Sequence, residues 1–242
     1  MKSTLLMLCC CLLAAVLGYA QTVVTKRCPV KANEQLVLKF DYPKVHISTW
    51  DKNEVQVTAR VNINDDENDK AFTLKDTSVN GTLSIEDHIE DINKLPRRYT
   101  IKQPDGKKTV FKTKAAFDEY QKTLGPVNTY SEGLDIDIIV EVMIPANIAT
   151  TIKAKYGLVE MKDFDAPANI DAIYGGIDAT LATAKAGKIQ VTTNYGAIYS
   201  NLDLVLTDKT TRDFFTSLTA EPGKGPAYVF KSTYGKIYLR KP

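Results

Sequence analysis

Residues that carry chemistry are scarce in this chain of 242 residues. It has 2 histidines, 1 tryptophan and 4 cysteines. The histidines, His46 and His88, stand 42 positions apart with no His-Glu-x-x-His spacing and no cysteine pair beside them, so no zinc ligand set can be assembled from the sequence. Neither a Gly-x-Ser-x-Gly elbow nor a phosphate-cradling glycine loop occurs, which leaves nucleophilic catalysis without a candidate and implies no cofactor. A charge excess is missing too: a formal net charge of +2 predicts neither a nucleic-acid partner nor a strongly anionic one. Finally, no apolar run reaches the roughly 20 residues that a membrane span needs.

The longest such run, Leu5 to Leu17, follows Lys2 and precedes Gly18-Tyr19-Ala20. Small residues three and one before a cut point are what signal peptidase accepts, so residues 1–20 read as an export leader cleaved after Ala20. Cys9, Cys10 and Cys11 lie inside its apolar core, too early for a lipoprotein attachment site. Removing twenty residues from 242 leaves 222, with 30 basic against 29 acidic side chains, no transmembrane span and Cys28 as the single thiol. No intrachain disulfide can form. Cys28, followed by Pro29 in an N-terminus expected to be unstructured, is left as a buried residue, an intermolecular bond or a reactive handle.

Period-two alternation dominates what remains. Leu36, Leu38 and Phe40, then Val45, Ile47 and Thr49, then Val55, Val57, Ala59, Val61 and Ile63 alternate with polar neighbours, as half-buried strands do. Asn64 to Lys70 reads as a loop, and Asn80-Gly81 as a tight turn between two further strands. The pattern breaks at about 87–131. There Arg98 to Gln103 and Lys107 to Lys112 flank Pro104-Asp105-Gly106 as a hairpin. Thr113 can cap a short helix with Ala116, Phe117, Tyr120 and Leu124 on one face, stopped by Gly125-Pro126. Alternation returns at Ile136, Ile138, Val140, Val142 and Ile144.

Four Tyr-Gly dipeptides then share one local frame. They are Ile152-x-Ala154-x-Tyr156-Gly157-x-Val159, Ile170-x-Ala172-x-Tyr174-Gly175-x-Ile177, Val191-x-Thr193-x-Tyr195-Gly196-x-Ile198 and Phe230-x-Ser232-x-Tyr234-Gly235-x-Ile237. Tyr-to-Tyr intervals of 18, 21 and 39 give a period near twenty, the long interval holding a second insertion at about 207–226 with a short helix expected around Arg212 to Leu218. Periods of this size mean stacked units. In each frame the apolar parity switches across the Tyr-Gly, so one face stays buried only if the chain turns a corner there, by positive φ or by close approach of another backbone. Stacked corners would bring the Tyr rings into a ladder with outward hydroxyls. The expected fold is therefore an all-β, single-stranded β-solenoid of the β-helix kind, one domain over 21–242 with roughly twenty-residue rungs, carrying the inserted hairpin and short helix on its body.

Together with Val45-His46-Ile47-Ser48-Thr49-Trp50-Asp51-Lys52-Asn53-Glu54-Val55 and Ile144-Pro145, the four frames resemble the bacterial putative-adhesin family of unknown function, related to the auto-transporter adhesin head of the GIN type. The resemblance covers about 30–90 and 132–242 and leaves out both insertions. It implies a right-handed solenoid exported by a Gram-negative bacterium to the periplasm, outer-membrane surface or exterior, and it transfers no catalytic motif.

The densest charge feature is the basic set Arg97, Arg98, Lys102, Lys107 and Lys108, continued by Lys112 and Lys114 in the first insertion. It is the candidate contact for an anionic glycan, a lipid headgroup or a cell-envelope protein, against a plain solvated rim. Asp135, Asp137 and Glu141 share the outward parity of their strand, as a solvated face or a calcium-binding ladder would. Asp163, Asp165, Asp171 and Asp178 near Lys153, Lys155, Lys162 and Lys185 keep open a polysaccharide-active β-helix enzyme, lyase or hydrolase. The leading expectation is a non-enzymatic envelope or surface binding module. A periplasmic sensor or assembly factor is a further alternative.

Overall fold

A computed structural model of the chain describes residues 21–31, 33–102, 107–124, 130–146 and 148–242. The expected leader at 1–20, the expected turn Pro104-Asp105-Gly106 and the expected helix stop Gly125-Pro126 lie outside the described residues. The fold is all-β with one α-helix among the described residues. The chain opens with β1 (Thr22–Pro29), β2 (Gln35–Phe40), β3 (Lys44–Trp50), β4 (Glu54–Ile63), β5 (Phe72–Val79) and β6 (Thr82–Ile89). The first insertion supplies β7 (Arg98–Lys102), β8 (Lys108–Phe111), α1 (Lys114–Leu124) and β9 (Tyr130–Gly133). After β10 (Ile136–Pro145) come the repeated pairs β11 (Thr150–Ala154) with β12 (Val159–Met161), β13 (Ala168–Ala172) with β14 (Ile177–Thr180), and β15 (Lys188–Thr193) with β16 (Ile198–Ser200). A hairpin of β17 (Leu206–Arg212) and β18 (Phe215–Ala220) precedes the last pair, β19 (Ala227–Ser232) and β20 (Ile237–Arg240).

Two large mixed sheets result, in the orders β1-β4-β10-β3-β12-β14-β20-β16 and β17-β18-β15-β19-β13-β11-β2-β6-β5, and the insertion forms a small third sheet, β8-β7-β9. Each repeated pair places its first strand in one large sheet and its second in the other, so the Tyr-Gly between them is the corner joining the sheets. Parallel pairing aligns the frames in columns. Leu38, Ile152, Ile170, Phe230 and Val191 are register partners along one sheet, and Val45, Val159, Ile177, Ile237 and Ile198 along the other. All but the half-buried Ile198 lie in the core. These columns expose a fifth frame, Leu38-x-Phe40-x-Tyr42-Pro43-x-Val45, which carries proline where the other four carry glycine.

Close approach, and not positive φ, explains the corner glycines. Among the described glycines only Gly81 has positive φ, 75°, in the expected turn after Asn80. A Cβ on Gly157 would lie 1.5 Å from the carbonyl oxygen of Pro43, one on Gly175 1.8 Å from that of Gly157, one on Gly235 1.9 Å from that of Gly175, and one on Gly196 1.8 Å from that of Gly235. Tyr42-Pro43 is the first corner of the series, because the chain leaves β6 at Ile89 for the insertion instead of turning. A ring at position 43 therefore meets no preceding corner.

The glycine contacts also reveal an order that the chain does not follow. The last pair, β19–β20, is inserted between β13–β14 and β15–β16, so Tyr234 falls between Tyr174 and Tyr195. Ser232 belongs to this inserted rung and ties its corner to the Tyr174 corner: its buried hydroxyl donates to the Gly175 carbonyl at 3.0 Å and accepts from the Gly235 amide of its own corner at 2.9 Å.

Other expectations are corrected. Residues 212–218 are not helical: they lie in the hairpin at 206–220, whose Thr207, Thr210, Thr211, Thr216 and Thr219 favour strand, and β18 pairs antiparallel with β15. The N-terminus is not unstructured either. β1 pairs along β4, with Cys28 opposite Val55 and buried, and burial pushes its thiol pKa up. The helix at 114–124 stands as expected, its Ala116 amide donating to the Thr113 hydroxyl at 3.2 Å.

Two outcomes are expected. Gly175→Ala and Gly235→Ala each destabilise the fold by about 1–3 kcal/mol or more, since the clashing atom is backbone that cannot swing away. Gly133→Ala, with nothing within 4 Å of its added carbon, is the neutral control. Thermal melts decide, and unchanged midpoints at both corners would remove the close-approach argument. A chain ending at Pro226 loses buried Tyr228, Phe230, Ile237 and Leu239. Hydrogen exchange should then show protection lost over 188–220 and retained over 36–172; protection kept over 188–220 would mean that the two flanking rungs re-stack directly.

Candidate functional site

The first insertion is held to the body by charge and by one buried amide. Arg98 is 3% exposed, pairs with Glu67 at 2.5 Å and donates to the Asn64 carbonyl; Lys112 pairs with the same Glu67. Asn64, itself buried, donates from its side chain to the Pro96 carbonyl at 2.8 Å and accepts from the Asp135 amide at 3.0 Å. Of the five cations expected to form a binding rim, the structure thus withdraws Arg98, which in sequence looks like its neighbours. Lys108 is exposed but pairs with Asp135 at 2.7 Å, and Arg97 faces Glu132 at 3.8 Å. Lys102 and Lys107 are exposed. Phe117 fills the centre of the insertion, against Tyr99, Phe111 and Tyr130.

Between this small sheet and the first corner lies a cleft of about 610 Å³. Arg97, Lys102, Lys108 and Glu132 line it from the insertion, and Tyr42 and Lys44 from the body. Lys44 and Lys102 have no acidic partner among the described residues. Both walls therefore offer donors, with carboxylates available as acceptors, in a polar opening. The sequence reading missed Lys44, because it enters the site only through the fifth frame.

From this cleft the corner tyrosines run outward as one stack. Tyr42 and Tyr156 have ring centroids 5.4 Å apart, Tyr156 and Tyr174 5.3 Å, Tyr174 and Tyr234 5.2 Å, Tyr234 and Tyr195 5.1 Å, with interplanar angles from 6° to 22°. Phe214, at the tip of the β17–β18 hairpin, ends the stack at 5.5 Å from Tyr195. The four Tyr-Gly tyrosines are each about half exposed. Parallel offset rings at this spacing stabilise one another, and their faces are spent on doing so.

The carboxylates behind the lyase reading are not brought together. Asp171 and Asp178 lie on different sheets, Asp171 pairing with Lys231 at 3.5 Å and Asp178 with Arg240 at 2.6 and 2.8 Å. Glu141 pairs with Arg60 at 2.6 Å, and among the described residues no cluster of three metal-ligating side chains occurs. His46 is exposed, 3.8 Å from Glu160.

No family model matches the chain, and no curated protein matches it. Among solved structures, similarity extends over 92% of this chain to a putative cell adhesion protein from Clostridium sporogenes, at 9% identity, TM-score 0.48 and all of that chain. It extends as far to putative adhesins from Parabacteroides distasonis, at 12% identity, TM-score 0.29 and 98% of that chain, and from Bacteroides fragilis, at 9% identity, TM-score 0.20 and 98% of that chain. No helix among the described residues is long and apolar enough to cross a membrane.

At the inner end of the stack one carboxyl does the work of a missing rung. Elsewhere the two corner amides donate to carbonyls of the preceding corner, as Lys155 does to Phe40 at 3.0 Å and Tyr156 to Asp41 at 2.9 Å. For the first corner it is the Asp87 carboxyl that accepts from the Asp41 amide, at 2.9 Å, while its second oxygen is buried without a partner. Burial pushes the Asp87 pKa up to about 6, against the pull of the amides bonded to it. The folded chain therefore keeps this proton in a window, from about pH 4 to 6, where the unfolded chain has released it. The stability it contributes is present below that window and lost as pH rises through about 6. Asp87→Asn keeps the acceptor and abolishes the titration. Its melting midpoint should fall less than that of the unmodified protein between pH 4 and 7, and an identical pH slope would show that Asp87 is not the titrating group.

Proposed function

We propose that this protein is a non-enzymatic, exported binding module of the cell envelope or surface. Its body is a right-handed β-solenoid, and its ligand, a glycan or glycan-bearing envelope partner, enters the cleft between the insertion and the first corner. Support for the body comes from five aligned frames and from parallel strands of one sheet joined through the other, a connection that is right-handed in nearly all cases. The observation that carries the binding role is the cleft: Lys44 and Lys102, without an acidic partner among the described residues, both line it, with Glu132 and Asp137 beside them as acceptors. Hydroxyl- and carboxylate-rich ligands need that mixture, and a hydrolase or lyase would need a base and a cation site set together, which these paired carboxylates do not supply.

Binding of uronic-acid oligosaccharides to the purified protein, followed by calorimetry, is expected to weaken at least tenfold in Lys44→Ala/Lys102→Ala, with an unchanged melt. Incubation with the same polysaccharides plus calcium should yield no unsaturated products or new reducing ends. Equal affinity in the double variant would remove the cleft from the proposal, and turnover that disappears in Asp171→Asn or Asp178→Asn would replace it with an enzyme.

A further inference from the structure

Half of the tyrosine stack faces solvent, yet ring packing alone requires nothing of its outer edge. Among the described residues the hydroxyls of Tyr156, Tyr174, Tyr234 and Tyr195 have no protein hydrogen-bond partner. Buried Tyr228 shows the contrast, donating to the Phe164 carbonyl at 2.9 Å. Because each ring covers the next, what solvent meets is a row of phenol edges and hydroxyls repeating every 5.1 to 5.4 Å, perpendicular to the strands. The row begins at Tyr42, which also lines the cleft.

We infer that this row is a linear track for an extended, neutral pyranose chain, laid along the corner with about one sugar residue per rung. The inference rests on the proposed glycan-binding role and adds to the cleft a second surface, which takes a neutral chain. The repeat decides among polymers. An extended polypeptide advances by roughly 3.3 Å per residue and a polyproline helix by roughly 3.1 Å, so neither presents equivalent groups at each rung. An equatorially linked pyranose chain advances by about one ring per step and offers hydroxyls and ring oxygens along its edge, matching phenols that can both donate and accept. An α-helix has a pitch of about 5.4 Å but docks through apolar residues into a groove, and this row stands on the corner between two sheets. Lys155, with its ammonium 5.2 Å from the centre of the Tyr156 ring, adds a further donor beside the row.

The test is calorimetric titration of the purified protein with β-1,4-linked gluco-oligosaccharides of two to six residues. Affinity should rise with chain length up to about five residues and then level, since five tyrosines form the row. Tyr156→Phe/Tyr174→Phe/Tyr234→Phe keeps the stack and removes three hydroxyls. It should bind the six-residue chain at least tenfold more weakly with an unchanged melting midpoint, an effect that a purely structural stack would not produce. The same triple variant should bind uronic-acid oligosaccharides within about twofold of the unmodified protein, because Tyr156, Tyr174 and Tyr234 lie outside the cleft, which separates a failure of the track from a failure of the cleft. No binding, binding indifferent to chain length, or full binding by the triple variant would each overturn the track.

Discussion

A backbone carbonyl occupies the place of a side chain at each corner from Gly157 to Gly196, and the rest of the structure depends on that contact. Without a Cβ, one corner can settle against the oxygen of the next, and the strands on either side then come to hydrogen-bonding distance in both sheets at once. The same approach puts the preceding tyrosines in register, so ring stacking follows from backbone packing instead of driving it. Ser232 and Thr193 extend this logic. Where the inner corner position is polar, its hydroxyl donates to the carbonyl of the neighbouring corner, accepts from the amide of its own, and is not left unsatisfied in the core.

Stacked parallel rungs leave open edges, and both ends of this molecule close them with antiparallel strands. β1 on β4 and β5 on β6 finish one end, and the β17–β18 hairpin finishes one sheet at the other. The hairpin also explains the inverted order of the last rungs. The chain must leave β16 to build the cap, and it returns to the gap that remains, between the Tyr174 and Tyr195 rungs. Nearly all of the pairing is remote in sequence, with the C-terminal strands needed to complete the stack, so folding is expected to be slow for a chain of this size.

The glycine frames were legible because four copies repeat the same parity switch, and with them the all-β class, the corners and the ring ladder. Tyr42-Pro43 was hidden by a proline that tolerates the corner only because no earlier corner presses on it. Rung order left no trace, since frames that resemble one another can stack in any sequence. The hairpin at 206–220 was misread because its pairing partner, β15, is visible only in three dimensions. Arg98 and Asp87 show the same limit at the site. Each reads as an ordinary charged strand residue, and only the packing of the insertion and of the first corner takes one out of solvent and raises the pKa of the other.

What distinguishes the corner from the broad sheet faces is compensation. On the outer faces Lys39 meets Glu86, Lys231 meets Asp171, Arg60 meets Glu141 and Arg240 meets Asp178. Exposed pairs of this kind add little stability, roughly 0–1 kcal/mol each, but each one satisfies groups that a ligand would otherwise engage. Where such charges are paired, a flat face offers a partner little beyond weak, salt-sensitive attraction. Lys44, Lys102 and the hydroxyls of the four Tyr-Gly tyrosines are different, because none has a hydrogen-bond or ion-pair partner among the described residues. They lie together, running from the cleft along one corner, and desolvating them on binding breaks no internal bond. The proposed ligand is therefore placed where the repeat and the insertion meet, at groups whose engagement costs no internal bond.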